Sequence, residues 1–185
     1  MRLFIALTLP PSLKTELAAL QQALRAARAE VAWTKPENLH LTLRFLGETP
    51  AERVAALAQA CRATAQSCPS FTLTLDGTGF FPNARRPRVV WAGLSGELAA
   101  LFNLHQALET HLTEHGFPSD GKAFQPHLTL GRCKSSQQAE QLAARAAAYQ
   151  LPALAFRVTE LTLLQSRLHP AGSSYTLLLS AGLAA

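Results

Sequence analysis

The sequence contains few cysteines, and they are not spaced as a metal site or a disulfide framework requires. The three, Cys61, Cys68 and Cys133, are odd in number and form no Cys-x-x-Cys pair. Disulfide-stapled domains and zinc knuckles both depend on paired cysteines. The sequence therefore predicts neither, and we expect three small, partly buried side chains.

Long hydrophobic runs are also missing. No apolar stretch reaches the roughly 18 residues that a membrane span requires. The opening segment, MRLFIALTLPPSLK, lacks a signal-peptide cleavage site before its two prolines. Together these absences argue against a membrane partner and predict a cytoplasmic protein.

Negative charge is scarce. The chain of 185 residues has 12 acidic and 17 basic residues, which gives a formal net charge of +5. This excess favours an anionic partner, such as nucleic acid or a phosphorylated small molecule. Three of the basic residues, Arg85, Arg86 and Arg88, cluster on a predicted loop, although that run taken alone is more typical of a solvated loop. With 48% hydrophobic residues, the chain is long enough to bury a core of its own. We expect one domain that spans residues 1–185.

Strand patterns and helix patterns alternate along the chain. Apolar segments bounded by Pro, Gly and Asn predict strands, and leucines and alanines at helical spacing predict helices. The predicted strands are RLFIALTLP, a segment ending near Thr34, Leu39 to Leu46, FTLTLDG, PRVVWAGL, FQPHLTLGR, ALAFRVTELTLLQSRL and SSYTLLLSA, with a turn from His169 to Ser174 before the last one. The predicted helices are SLKTELAALQQALRAARA, PAERVAALAQACRATAQ, ELAALFNLHQALETHLTEHG and SSQQAEQLAARAAAYQ. This order predicts a mixed fold of helices and paired strands.

One tetrapeptide, HLTL, occurs twice, at residues 40–43 and 127–130. Positions 40 and 127 lie 87 residues apart, and a predicted helix follows each copy. A repeat of this kind indicates two related structural units. We therefore expect a bilobal domain in which each lobe offers one HLTL strand to a shared cleft.

Each HLTL strand presents a histidine and a threonine on one face. Because successive strand side chains point to opposite faces, His40 lies beside Thr42 and His127 beside Thr129, while the leucines go to the core. Side chains two residues apart are about 7 Å apart along a strand, so both can touch one phosphate-sized group. Paired imidazoles can remove one proton and donate another without a metal. Threonine hydroxyls can donate hydrogen bonds to phosphate oxygens.

Two arginines near the motifs can add charge-assisted hydrogen bonds to a phosphate. Arg44 continues the inward phase of its strand, so alternation predicts that it faces the cleft. Arg132 lies just past the second motif, where strict alternation turns it away, so it needs a bulge or the strand's end to point inward. A single HLTL is more typical of a satisfied histidine beside a β-favouring threonine, and it is the duplication that favours a site.

The segments WTKPENLHLTLRFLGE and FQPHLTLGR closely resemble the two signature segments of the two-histidine phosphoesterase superfamily, whose motif is His-x-Thr-x in two copies. The similarity is greatest to the bacterial and archaeal RNA 2′,3′-cyclic phosphodiesterases, historically called 2′-5′ RNA ligases. It runs through nearly the whole chain. The resemblance implies an α+β, bilobal fold in which two antiparallel sheets line a central cleft and the helices lie outside.

The resemblance also implies a reaction and a set of roles. The reaction is hydrolysis of a 2′,3′-cyclic phosphate at an RNA 3′ end to a 2′-phosphate, with no metal and no cofactor. By match to the family, His127 is the proton acceptor that activates water, His40 is the proton donor to the departing 3′ oxygen, and Thr42 and Thr129 hold the phosphate. Arg132 matches a basic residue that often follows the second motif.

Several alternatives stay open at this stage. Tyr175 lies near a recurrent family tyrosine, but core packing explains it equally well. The segment HLTEH at residues 111–115 fits a zinc-binding helix pattern, although the predicted helix ends directly after it and no third ligand follows. The fold can also serve a non-catalytic RNA-end or nucleotide-binding module, or run the reaction as 2′-5′ ligation. The substrate is either an RNA 3′ end or a small cyclic nucleotide, and we expect a monomer.

Overall fold

The computed structural model describes residues 1–170 and 172–185. Within these residues the chain forms nine strands and four helices. The strands are β1 (Arg2–Thr8), β2 (Val31–Trp33), β3 (His40–Glu48), β4 (Phe71–Phe81), β5 (Val89–Gly96), β6 (Leu128–Cys133), β7 (Ala155–Val158), β8 (Glu160–His169) and β9 (Gly172–Gly182). The helices are α1 (Pro11–Arg25), α2 (Val54–Ser67), α3 (Leu98–Glu114) and α4 (Ala139–Ala148). The four predicted helices are therefore all present.

Helix α1 illustrates how the sequence specifies these elements. Its first residue is a proline, whose fixed φ suits the first helical position and whose missing N–H is not needed there. Leu13, Leu17, Leu20 and Leu24 then recur at intervals of three or four residues, and all four are buried. Periodic apolar residues of this kind form one continuous stripe along a helix. The stripe packs α1 onto the sheet.

The strands form a sheet whose neighbours all run antiparallel. Their order is β7-β4-β5-β6-β3-β1-β8-β9, and β2 pairs with the free part of β6. One half consists of β1, β3, β8 and β9, and the other of β2, β4, β5, β6 and β7. The halves meet at one residue pair, Leu41 opposite Leu128. The predicted α+β fold with antiparallel strands is confirmed, and its two sheets are joined into one at this pair.

The two faces of the sheet have different surroundings. Leucines from strands of both halves and from all four helices form one large buried cluster on the helix-covered face. On the opposite face, the buried apolar residues that the structure describes include a small group, Phe4, Ala6 and Leu164, against which Tyr175 packs. The helices therefore cover one face and leave the other open as a cleft. Among the residues that the structure describes, no helix is both long and apolar enough to cross a membrane.

Strand β4 is longer than predicted. The FTLTLDG segment was expected to end near Gly77, but the strand continues to Phe81 through a bulge between Leu75 and Thr78. Gly77 has φ +68°, a left-handed conformation that glycine adopts without steric cost. The bulge lets the strand continue past residues that otherwise suggest a loop, and it brings Phe81 to the cleft.

Two other boundaries also differ from the sequence prediction. Helix α4 begins at Ala139 rather than Ser135, because Gln138 has a left-handed φ of 60° that a helix cannot include. The turn predicted from His169 to Ser174 is shorter, since β8 runs to His169 and β9 begins at Gly172. Ala171, inside that predicted turn, lies outside the described residues.

We propose that the two halves fold as one domain, because they share a single buried cluster. Chemical unfolding should then give one transition that coincides by far-ultraviolet circular dichroism and by intrinsic fluorescence. Leu41→Ala, at the junction, should lower the free energy of unfolding by about 2–5 kcal/mol and retain one transition. The matched control is Leu168→Ala, since Leu168 is 65% exposed and should change stability by less than about 0.5 kcal/mol. Two separated transitions would contradict the proposal.

Candidate active site

The two HLTL motifs lie side by side in the sheet and run in opposite directions. Leu41 of β3 is opposite Leu128 of β6. Continuing this antiparallel register sets His40 opposite Thr129, and Thr42 opposite His127. Diagonal neighbours across an antiparallel pair are about 7–8 Å apart. The two histidines therefore form one diagonal of a four-residue cluster and the two threonines form the other.

A β-bulge follows Thr42 and Thr129 at the same point in each motif. In β3, Thr42 pairs with Ala6 and Arg44 with Ile5, so Leu43 is an extra residue. In β6, Thr129 pairs with Trp91 and Gly131 with Val90, so Leu130 is the extra residue. An extra residue reverses the alternation beyond it. After the last leucine of HLTL, the side chains of both strands therefore point to the face opposite to the one that strict alternation predicts.

The bulge in β6 turns Arg132 into the cleft. Arg132 pairs with Val89 on one side and Ala32 on the other, and it lines the cleft together with His40, Thr42 and Thr129. An inward-pointing Arg132 was expected to need a bulge or the end of the strand, and β6 has such a bulge. The guanidinium is exposed, so it is accessible to an anion.

The corresponding bulge in β3 turns Arg44 away from the cleft, and the prediction that it faces a phosphate is wrong. Strict alternation fails beyond Leu43, so Arg44 follows its neighbour Ile5 to the helix-covered face. There its Nη1 lies 2.9 Å from Glu109 Oε2 and 3.3 Å from Asp120 Oδ1. Its Nη2 donates a hydrogen bond of 2.6 Å to the Pro118 carbonyl. Arg44 is 8% exposed and ties β3 to the connection between α3 and β6.

The two histidines are held in the same way. His40 Nδ1 lies 2.6 Å from the carbonyl of Asn38, and His127 Nδ1 lies 2.7 Å from the carbonyl of Gln125. A carbonyl oxygen can only accept, so Nδ1 carries the proton in both rings. The Nε2 atoms are then free to accept or donate a proton. In the neutral state, Thr42 donates a hydrogen bond of 2.9 Å to Nε2 of His40.

Both imidazoles have lowered pKa values. Burial is the main cause for His40, and the positive charge of Lys14 and the nearby His127 lower its pKa further, while the bond to the Asn38 carbonyl opposes the shift. Burial is also the main cause for His127, where Arg132 lowers the pKa further and the bond to the Gln125 carbonyl opposes it. Both effects disfavour the charged ring.

Each histidine packs between aromatic side chains, and of these the sequence pointed only to Tyr175. His40 lies against Phe4 and Tyr175, with ring centroids 4.9 and 5.4 Å away. Tyr175 therefore belongs to the cleft rather than to the main core. His127 lies 4.9 Å from Phe81 and 6.4 Å from Trp91.

Trp91 needs a glycine beside it. A Cβ at Gly79 would lie 2.1 Å from the Trp91 ring, so the ring can lie flat over β4 only because this position lacks a side chain. The pairing of Trp91 with Thr129 places the ring on the cleft face. The alternation of side chains along β5 could have assigned Trp91 to the cleft face, but only if the pairing of β5 with β6 had been known.

The cleft itself has a volume of about 350 Å³, within the range typical of small-ligand sites. Its polar lining includes Asn38, Ser166 and Ser173, and its apolar lining includes Phe45 and Leu168. His127 lies at its margin, close enough to affect the pKa of His40. The mixture of hydroxyls, the two guanidinium groups of Arg2 and Arg132, and apolar rings suits a ligand with both a phosphate and a flat ring.

The histidines of the HLTEH segment are engaged elsewhere. His111 Nδ1 lies 3.0 Å from the hydroxyl of the buried Thr64, and His115 Nδ1 lies 2.8 Å from the His111 carbonyl. No group of three or more His, Cys, Asp or Glu side chains in the described part of the chain is arranged to hold a metal ion. His105 stacks on Phe124 with 4.0 Å between ring centroids.

An antiparallel sheet with helices on one face and two His-x-Thr-x motifs meeting on the other is the arrangement of the two-histidine phosphoesterase fold. A family model described as the 2′-5′ RNA ligase superfamily matches residues 9–170. The chain belongs to this superfamily.

Individual relatives agree with the family model. A protein of Methanothermobacter thermautotrophicus named RNA 2′,3′-cyclic phosphodiesterase is 33% identical over 176 residues, which cover 95% of each chain. The crystal structure of TT0787 of Thermus thermophilus has a TM-score of 0.81 at 33% identity and covers 99% of this chain and 98% of that one. The crystal structure of E. coli LigT with 3′-AMP has a TM-score of 0.75 at 31% identity, with coverage of 98% and 97%.

Arg44→Met tests the assignment of this arginine to the helix-covered face. We expect the free energy of unfolding to fall by about 3 kcal/mol, because Glu109 is left partly buried without its partner. The folded variant should bind inorganic phosphate as the parent does, measured by calorimetry. The control is Arg62→Met, an exposed arginine on α2, which should change stability by less than about 0.5 kcal/mol. If the variant kept normal stability but lost phosphate binding, the result would contradict this assignment and indicate that Arg44 faces the cleft.

Proposed function

We propose that the protein hydrolyses 2′,3′-cyclic phosphates at RNA or nucleotide 3′ ends to 2′-phosphates, without a metal or cofactor. The observation that carries the proposal is the diagonal pair of histidines, each with Nδ1 committed to a backbone carbonyl. Proton transfer is thereby left to Nε2, which in His40 accepts a hydrogen bond from Thr42. A phosphate held between the two histidines has one imidazole on the side of the nucleophile and the other on the side of the leaving oxygen.

In the proposed reaction, His127 Nε2 takes a proton from water as the water oxygen forms a bond to phosphorus. The bond between phosphorus and the 3′ oxygen breaks, and protonated His40 donates its Nε2 proton to that oxygen. The product has a 2′-phosphate and a free 3′ hydroxyl. The assignment of His127 as the base and of His40 as the acid follows the family resemblance, because neighbouring positive charges lower the pKa of both imidazoles.

The remaining cleft residues stabilise the charge that develops on the phosphate. Thr42 and Thr129 are placed to donate hydrogen bonds to the non-bridging oxygens, and Arg132 adds a charge-assisted bond. When a phosphate oxygen occupies the cleft, the hydroxyl of Thr42 can rotate toward that oxygen and away from His40 Nε2, to which it donates in the neutral state. His40 is then free to act as the acid.

Relatives support the same reaction. Those of Methanothermobacter thermautotrophicus and Thermus thermophilus are named RNA 2′,3′-cyclic phosphodiesterase, and crystal structures of E. coli LigT have been solved with 3′-AMP and with phosphate. If an RNA 5′ hydroxyl takes the place of water, the same site forms a 2′-5′ bond. We further propose a monomer in the cytoplasm, because the cluster is complete in one chain and all three cysteines are free thiols.

Replacing either histidine tests the reaction. With a 2′,3′-cyclic mononucleotide in the presence of a metal chelator, the parent should release the 2′-phosphate. His40→Ala and His127→Ala should each lower kcat by about 10²–10⁴-fold, the usual contribution of a general acid or base. His111→Ala, which changes a histidine outside the cleft, should retain activity. An enzyme that needs zinc, or a protein that binds the nucleotide without turnover, would contradict the proposal.

The pH dependence follows from the lowered pKa values. Catalysis needs a neutral base and a protonated acid, so kcat/KM should be bell-shaped. Because burial and neighbouring charges hold both imidazoles below the ordinary pKa of about 6.5, activity should already be falling as the pH rises through neutrality. The kcat profile should lie at higher pH, since a bound phosphate anion stabilises the imidazolium.

A matched variant sharpens this test. Lys14→Met removes a positive charge that lowers the pKa of His40, so the alkaline limb of kcat/KM should move to higher pH. The acid limb, which belongs to the base, should stay. A parent profile that keeps rising to pH 8 would exclude the assignment.

A further inference from the structure

Positive charge is concentrated at one end of the sheet. Five basic residues lie in two short segments, the loop at 82–88 and the end of β6 at 131–135, which together contain no acidic residue. We call them the basic end, and they are Arg85, Arg86, Arg88, Arg132 and Lys134. Outside the basic end, basic and acidic residues are equal in number, at 12 each. The whole formal net charge of +5 therefore corresponds to this one surface.

The charges of the basic end are available to a ligand. All five side chains are exposed, and none takes part in an ion pair with any residue that the structure describes. Two acidic residues adjoin the basic end: Glu30, whose carbonyl accepts a hydrogen bond from the Lys134 N–H, and Glu140 on α4, which lines a surface depression with Arg85. Unpaired arginines at this density repel one another, so an anion that binds among them relieves the repulsion.

The loop that carries three of these arginines is held by its own contacts. The Asn83 side-chain oxygen accepts hydrogen bonds of 3.1 and 3.0 Å from the backbone N–H groups of Arg85 and Arg86. The Arg88 N–H donates to the Phe81 carbonyl, and the Arg88 carbonyl accepts from the Cys133 N–H. The loop therefore keeps its arginines beside β6.

The basic end is continuous with the cleft. Arg132 lines the cleft and pairs in the sheet with Val89, one residue after Arg88. Lys134 lies two residues beyond Arg132 along the same strand direction. On the far side, a surface depression of about 860 Å³ separates the 82–88 loop from α4, and its lining includes Arg85, Gln138, Gln141 and the carboxylate of Glu140. The exposed cations therefore extend from the phosphate site to Arg85, and Glu140 lies beyond them on α4.

We propose that the basic end binds the sugar–phosphate backbone of the RNA strand on the 5′ side of the cyclic phosphate. Arg132 contacts the reacting phosphate, and Lys134 and the arginines of the 82–88 loop contact the phosphates that precede it. The protein therefore prefers an RNA oligonucleotide to a mononucleotide. This inference rests on the proposed function for its substrate, and on the placement of charge for its site.

The test compares two substrates in two charge variants. Arg85→Ala/Arg86→Ala removes two cations of the basic end, and Arg62→Ala/Arg157→Ala removes two exposed cations from α2 and β7 as a matched control. We measure kcat/KM for a cyclic mononucleotide and for an oligonucleotide of about eight residues with a 2′,3′-cyclic end. In Arg85→Ala/Arg86→Ala, kcat/KM should fall about tenfold for the oligonucleotide and less than twofold for the mononucleotide. The control should lose less than twofold on both.

Salt dependence gives a second readout. Each phosphate contact to a single strand contributes about 0.7 to the slope of log affinity against log salt. Loss of two contacts should therefore make the slope for oligonucleotide binding less steep by about 1.4, a relative change of about 25-fold across a tenfold range of salt. Mononucleotide binding should keep its slope.

Direct binding separates failure of this inference from failure of the proposed function. Fluorescence anisotropy with the same oligonucleotide ending in a 2′-phosphate needs no turnover, so it tests the basic end even if the protein hydrolyses nothing. Weaker binding by Arg85→Ala/Arg86→Ala, with the control unchanged, supports the inference. Equal binding by the parent and both variants, or equal losses on oligonucleotide and mononucleotide, overturns it.

Discussion

The pairing of Leu41 with Leu128 is the contact on which the rest of the site depends. Both leucines are buried on the helix-covered face, and the apolar surface they bury fixes which way the two strands turn. Because strand side chains alternate, each polar neighbour must then face the cleft. A slip of one residue would send the histidines into the leucine core, where a charged imidazole costs several kcal/mol. The hydrophobic core therefore sets the positions of the polar groups.

The two halves repeat this plan but use it differently. Both β3 and β6 have a bulge at the end of the motif. In each strand, the two residues that follow HLTL therefore point to faces opposite to those that strict alternation predicts. In β3 the arginine comes first and turns to the helices, and Phe45 turns to the cleft. In β6 a glycine comes first, and Arg132 turns to the cleft. An order change of one residue therefore sends the arginine of β3 and the arginine of β6 to opposite faces of the sheet. On the β3 side of the cleft, Phe45 lies under the guanidinium of Arg2.

Much of this was predictable from local pattern. The helices, most strands and the shared face of each His and Thr follow from periodicities of 3.6 and 2, which are properties of adjacent residues. Arg44 was misplaced because the bulge leaves no local sign: its extra residue, Leu43, fits the apolar alternation that Leu41 begins. The rings around the histidines were missed for another reason. Phe81 is 46 residues before His127 and Phe4 is 36 before His40, and only the order of strands in the sheet brings them together.

Arg44 shows how a residue behind the sheet can still serve the cleft. Its guanidinium joins β3, which carries His40 and Thr42, to the connection that leads to His127. The same connection is held by the stacking of Phe124 on His105 of α3. The Nδ1 bond that orients His127 uses the carbonyl of Gln125, one residue beyond Phe124. A buried ion pair contributes little to stability beyond what an apolar pair would give, but it fixes geometry. The charge that sequence alternation assigned to the substrate is used to hold one histidine in position relative to the other.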